Sequence, residues 1–177
     1  NRLADLSCHE FICFMASDDL YLSNRFKLCQ NVLEKDPGLM VIYENGSYFK
    51  DGEIGSNVHE GELEERLLKG DPREVYDYIS SRVPGFFIQA MTIRKTFFYS
   101  VGKFDEDFIA DDWALNLKIF RALIDSSLRY YYFKDPVFLH RDHVNNIHKN
   151  NKRQYTLIDQ VVSNMIPKDR FSSFDEV

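Results

Sequence analysis

Residues 6–19 read LSCHEFICFMASDD, a mostly apolar run with β-favouring side chains that stops abruptly at Ser17, Asp18 and Asp19. An apolar run of this kind, closed by a polar turn, predicts a buried strand over 6–15. The strand then ends in two adjacent carboxylates, at the edge of the sheet where open α/β folds bind their ligands. Neighbouring carboxylates repel. A hard divalent cation relieves that repulsion and leaves coordination positions for phosphate oxygens and water. On the residues alone a second account stands beside this one: Asp18 starts a turn and Asp19 caps the next helix.

Downstream, Ser23 is an N-cap for a helix carrying Phe26, Cys29 and Leu33 on one face, and Asp36-Pro37-Gly38 stops it. LMVIY at 39–43 predicts a strand. Asn45-Gly46 then predicts a turn, with 47–49 returning antiparallel. Residues 50–82 are polar and broken by Gly52, Gly55, Gly61 and Gly70, with helical patterns at 62–69 and 73–81; they read as a variable insertion outside the core. PGFFIQAMTI at 84–93 is a buried segment, 94–100 a short helix, and Gly102 its C-cap. Trp113, Leu117, Phe120 and Ile124 share one face of a further helix. LRYYYF at 128–133 and 136–139 predict two strands around a Lys134-Asp135-Pro136 turn. Tyr155, Ile158, Val162 and Met165 mark a last amphipathic helix.

Two further clusters carry chemistry. FDEDFIADDW at 104–113 places five carboxylates within eight positions, with Asp111 and Asp112 at a helix N-terminus. Such a terminus stabilises an anion whatever the function. Five acids crowded ahead of Trp113 nevertheless repel one another unless solvated or used, which makes one of them a candidate general base. His140, His143 and His148 put three of the five histidines within nine positions. His143 in a loop could complete a metal site with a carboxylate, whereas no Cys or His pairs stand at structural-zinc spacing.

Strands alternating with helices define an α/β class with a ligand site at strand ends. The 177 residues suffice for one core without disulfides, since a chain of this size buries roughly 70% of its unfolded surface. The formal charge of −6 argues against a nucleic-acid binder, whose affinity rests on Lys and Arg. Cys8, Cys13 and Cys29 form an odd set among apolar neighbours, expected as buried free thiols in a reducing compartment. No run approaches the ~20 apolar residues of a membrane span. Dinucleotide, P-loop, serine-hydrolase and C-x-x-C motifs are absent.

The order of the motifs (a strand ending in SDD, then G-x-FDE-x-F-x-x-DDW, then HRDH-x-NN) resembles family 2 glycosyltransferases of the GT-A type. The resemblance spans residues 1–151, with 152–177 a C-terminal helix and tail. It implies a GT-A-like open mixed sheet flanked by helices, the nucleotide-diphospho-sugar transferase architecture, truncated at its N-terminus. Asn1 falls close to where the family's first, nucleotide-base-binding strands end, so the uracil or thymine pocket is expected to be missing and the chain alone inactive. The family's D-x-D motif matches Ala16-Ser17-Asp18, with Ala16 at the first Asp and Asp19 following.

From that resemblance, Asp18 is the expected metal contact for Mn2+ or Mg2+, with His143, and Ser17, Asp18, Asp19 and Arg141 form the donor side. Asp111-Asp112-Trp113 matches the acidic pair before an aromatic, which makes Asp112 the expected general base beside Asp111. The implied reaction is inverting transfer from a UDP- or dTDP-sugar to a hydroxyl of a glycan or lipid-linked acceptor in bacterial surface-polysaccharide synthesis. Its implied place is the cytoplasm or the inner face of the membrane. Two alternatives stay open: a non-catalytic glycan- or protein-binding module derived from a transferase, favoured by Ala16, and a metal-dependent phosphohydrolase.

Overall fold

The computed structural model describes residues 1–108, 111–143, 146 and 151–167. Along the chain the elements are α1 (Arg2–Leu6), β1 (Phe11–Cys13), β2 (Leu20–Tyr21), α2 (Arg25–Leu33), β3 (Leu39–Lys50), β4 (Glu53–Asn57), α3 (Gly61–Lys69) and α4 (Pro72–Ser81). A 3-10 turn (Ile88–Ala90), β5 (Met91–Arg94), α5 (Lys95–Ser100), α6 (Asp111–Ser126), β6 (Arg129–Arg141) and α7 (Asn151–Met165) follow. The strands form one mixed sheet in the order β1-β5-β3-β6-β2, with β4 paired to β3. Only β3 and β6 run parallel; the other pairs are antiparallel.

Strand periodicity divides the core into two layers. Val41 and Tyr43 of β3, Met91 and Ile93 of β5, and Tyr130 and Tyr132 of β6 pack into one cluster with residues of α3, α4, α5, α6 and α7. Ile42 belongs instead to a smaller cluster with Cys29 and Leu33 of α2. The sheet is thus flanked by helices on both sides. In the larger layer Tyr43 stacks on Phe120 at 5.2 Å, and its hydroxyl donates to Asn116 Oδ1 at 2.8 Å.

Several sequence expectations are corrected. The strand expected over 6–15 shrinks to Phe11–Cys13, because α1 already takes Leu6 and β1 pairs with β5 over three residues alone. Cys8 is exposed in the connection between α1 and β1, Cys13 is partly buried and only Cys29 is buried. On α2 the buried face is Arg25, Cys29 and Leu33, whereas Phe26 is exposed.

Asn45-Gly46 makes no turn: β3 runs straight through it, and the hairpin to β4 turns at Asp51-Gly52, both at positive φ. Gly46 is there for space, since a Cβ would sit 2.5 Å from the Phe138 ring. Asn45 is buried and splints β3 to the start of α3: its Oδ1 accepts from Gly46 N and His59 N, and its Nδ2 donates to His59 O.

The two strands expected within 128–139 are one strand, β6. Its register against β3 jumps from Glu44↔Phe133 to Gly46↔Phe138, so Lys134, Asp135, Pro136 and Val137 bulge opposite Asn45 alone. Residues 62–69 and 73–81 form α3 and α4 as expected, yet Leu63, Leu67, Val75 and Ile79 are core residues, so the segment is part of the core rather than outside it. Gly102 closes α5 at φ +86°, one residue past the C-cap Val101, and the α6 and α7 helices form as expected, although Tyr155 on α7 is exposed. His148, Asn145 and the tail from 168 lie outside the described residues. Among the described residues no helix is long and apolar enough to cross a membrane.

Candidate functional site

The site is assembled by the shortest strand. β2 pairs antiparallel with the end of β6, Leu20 opposite Leu139 and Tyr21 opposite Phe138. That register puts the preceding residue, Asp19, beside His140 and Arg141, a place no local pattern reveals. Asp19 N donates to Ala16 O across the turn that precedes β2, and Ser17 is exposed on that turn.

The two aspartates have different surroundings. Asp18 and His143 are each a little over one-third exposed, and Asp18 Oδ2 lies 2.9 Å from His143 Nε2, across 125 residues of chain. The Asp19 side chain is fully buried. Its Oδ1 accepts from Arg141 N at 2.9 Å; its Oδ2 accepts from Gln89 Nε2 at 2.8 Å and faces His140 Nδ1 at 3.2 Å. Burial alone would raise the Asp19 carboxyl, but the hydrogen bonds from His140, Arg141 and Gln89 outweigh it and hold the group below the usual carboxylate value. Arg141 Nε donates to Asp18 O at 2.9 Å, and its guanidinium lies 5.0 Å over the Phe49 ring. Asn146 ties the loop after β6, accepting from His143 N and donating to Arg141 O.

The structure brings Asp18, Asp19, Arg141 and His143 together. Asp112 reaches them indirectly. Its Oδ2 accepts from Ile88 N at 3.1 Å, one residue before the Gln89 that binds Asp19. Asp112, Gln89, Ile88, Ala16, Met15 and Phe14 line a cleft of about 580 Å³. Asp111 opens α6, and its side chain lies outside the described residues. The crowding at 104–113 is eased at Glu106, which accepts from Asn1 Nδ2 at 2.8 Å.

The carboxylate oxygen suits Mn2+ or Mg2+, and the imidazole nitrogen beside it favours a transition ion such as Mn2+ over Mg2+. Among the described residues no group of three His, Cys, Asp or Glu forms that could hold a metal ion, so this pair is the donor set on offer.

Sequence reading missed what lies behind the site. Arg25 and Glu44, both fully buried, form an ion pair between α2 and β3. Glu44 also accepts from Thr92 Oγ1 at 2.6 Å and from Cys29 Sγ at 3.1 Å, while Arg25 lies 3.6 Å over the Tyr21 ring. Arg25 Nη2 donates to the carbonyls of Gln89 and Met91, each at 3.2 Å. The available signal was spacing: Arg25, Cys29 and Leu33 recur every four residues, which puts an arginine on an otherwise apolar helix face. Gln89 carried no such signal. No protein-family model matches this sequence, and no curated protein is significantly similar to it.

Proposed function

We propose that this chain carries the metal and acceptor side of an inverting glycosyltransferase similar to the family 2, GT-A-type enzymes, transferring sugar from a UDP- or dTDP-sugar to a hydroxyl of a glycan or lipid-linked acceptor. The observation that carries the reading is the closure of Asp18 on His143 at 2.9 Å, residues that the motif order alone pairs. The α/β sheet flanked by helices and the cleft holding Asp112 are further support.

In this reading Asp18 and His143 hold Mn2+ or Mg2+. The ion, when bound, neutralises charge developing on the departing nucleoside diphosphate. Arg141, held beside Asp18 by its own Nε, provides guanidinium N–H donors for a phosphate oxygen. Asp112 takes the proton of the acceptor hydroxyl as that oxygen attacks the anomeric carbon, and displacement from the opposite face inverts the centre. Asp19, saturated by protein donors, positions the turn and touches neither partner. The setting that follows is assembly of a bacterial surface polysaccharide at the cytoplasmic face of the membrane.

The test is sugar transfer in the presence of Mn2+ by a full-length protein that joins this chain to a nucleotide-binding segment, comparing wild type with Asp112→Asn. Loss of a general base lowers the rate roughly 10²- to 10⁴-fold. Transfer by Asp112→Asn at the wild-type rate contradicts the assignment.

A further inference from the structure

The two halves of the proposed site are far apart in sequence, and one short segment touches both. We infer that the 3-10 turn Ile88–Ala90 sets the spacing between the Asp18–His143 pair and Asp112, with Gln89 as its positioning residue. This rests on the function proposed above.

Three contacts carry it. The Ile88 amide holds Asp112 Oδ2 at 3.1 Å, and the next side chain, Gln89, donates through Nε2 to Asp19 Oδ2 at 2.8 Å. Immediately before them the Phe87 ring stacks on His140, centroids 4.8 Å apart and planes 16° from parallel. One run of three residues is thereby fixed to the carboxylate on α6, to the turn carrying Asp18 and to the end of β6 from which His143 emerges.

The turn is itself anchored from behind. Arg25 donates to the carbonyls of Gln89 and Met91, and the buried carboxylate of Glu44 fixes Arg25. An arginine buried with its countercharge and bound to two backbone carbonyls is costly to displace, because moving either partner leaves an uncompensated charge in the core. The backbone of the turn is therefore the rigid reference, and the Gln89 side chain transmits its position to Asp19.

The chemistry of Gln89 fits positioning better than packing. Its Nε2 donates to a carboxylate, a charge-assisted bond stronger than a neutral one. Its Oε1 is buried without a hydrogen-bond partner among the described residues, so the amide orientation is set by Asp19. Replacing Gln89 by Met, similar in length and unable to donate, removes that one bond together with an unsatisfied acceptor. Asp19 loses one restraint and keeps Arg141 N and His140 Nδ1.

The experiment measures Mn2+ affinity by calorimetry and residue-resolved amide hydrogen exchange on the 177-residue chain, for wild type, Gln89→Met, Asp19→Asn and the double variant. Gln89→Met is expected to weaken Mn2+ binding, by no more than Asp19→Asn does. It is also expected to speed exchange at the Arg141 amide, which Asp19 Oδ1 holds, by about tenfold, with β3 and β5 amides unchanged. Because Gln89 acts through Asp19, the double variant should bind Mn2+ no more weakly than Asp19→Asn. Wild-type Arg141 exchange in Gln89→Met overturns the inference, and so does an equal rise across β3 and β5, which would mean general loosening. Failure of the wild type to bind Mn2+ overturns the metal assignment, and the Arg141 amide then decides the role of Gln89 by itself.

Discussion

At the residue scale, the buried polar groups of this protein divide into those fully matched by partners and those that are not. Asp19 and Glu44 belong to the first kind, each holding several donors. His59 belongs to the second. It is 1% exposed, its ring packs edge-on against Phe86 at 5.2 Å, and neither ring nitrogen has a hydrogen-bond partner among the described residues. Burial pushes its pKa down to about 3 from 6.5. The sign of the consequence follows from proton counting. Above about pH 6.5 neither state binds the proton and His59 carries no pH-dependent cost. Below it the unfolded chain takes the proton and the folded one does not, so stability falls by about 1.4 kcal/mol per pH unit as pH drops towards the folded value. His59→Phe keeps the ring and the backbone bond to Asn45, so its melting temperature should exceed that of wild type at about pH 5 and decline less steeply between about pH 6.5 and 4.5. Parallel declines measured by calorimetric melting would show that His59 is not the group responsible.

At the element scale, the long parallel pair β3/β6 decides where the site lies, and the register shift that sets Asn45 opposite Lys134 to Val137 is what sequence reading missed. Asn45-Gly46 has the composition of a turn, but composition reports what a dipeptide permits, not what its neighbours demand. Here the demand is the Phe138 ring occupying the space of a Cβ at Gly46. Gly46→Ala should therefore destabilise the protein by about 1–3 kcal/mol through overpacking, a fall in melting temperature of several degrees for a chain of this size. Adding Phe138→Leu should restore part of the loss. Gly46→Ala at wild-type stability would mean that the ring yields and that the strand needs no glycine. Lys134-Asp135-Pro136 misled in the same way: a bulge within one strand and a turn between two use the same residues. In contrast, α6, α7 and the stop at Gly102 were legible, because helical spacing and a positive-φ glycine are local signals. The helical patterns of α3 and α4 were visible, but the segment as a whole read as polar. Only the tertiary structure showed that their apolar faces join the main core.

At the scale of the whole molecule, the site is a product of topology. Asp18 and His143 stand 125 residues apart and meet because β2 returns antiparallel onto the end of β6. Motif order named Asp18, Asp19, Arg141 and His143, and the fold brings the four together. It could not show that Asp19 is buried under three donors while Asp18 stays accessible, since burial is set by strand register. Nor could it find Arg25, Glu44 and Gln89, whose parts depend on three elements meeting behind the sheet. We propose that Asp18 and His143 form one divalent-metal site serving a nucleotide-sugar donor. Calorimetric titration with Mn2+, alone and with UDP, tests it most directly in wild type, Asp18→Ala and His143→Ala. The account predicts saturable Mn2+ binding by the wild type, loss of that binding in both variants, and tighter binding when UDP is present. Binding that survives either substitution, or no binding by the wild type at millimolar metal, would contradict it.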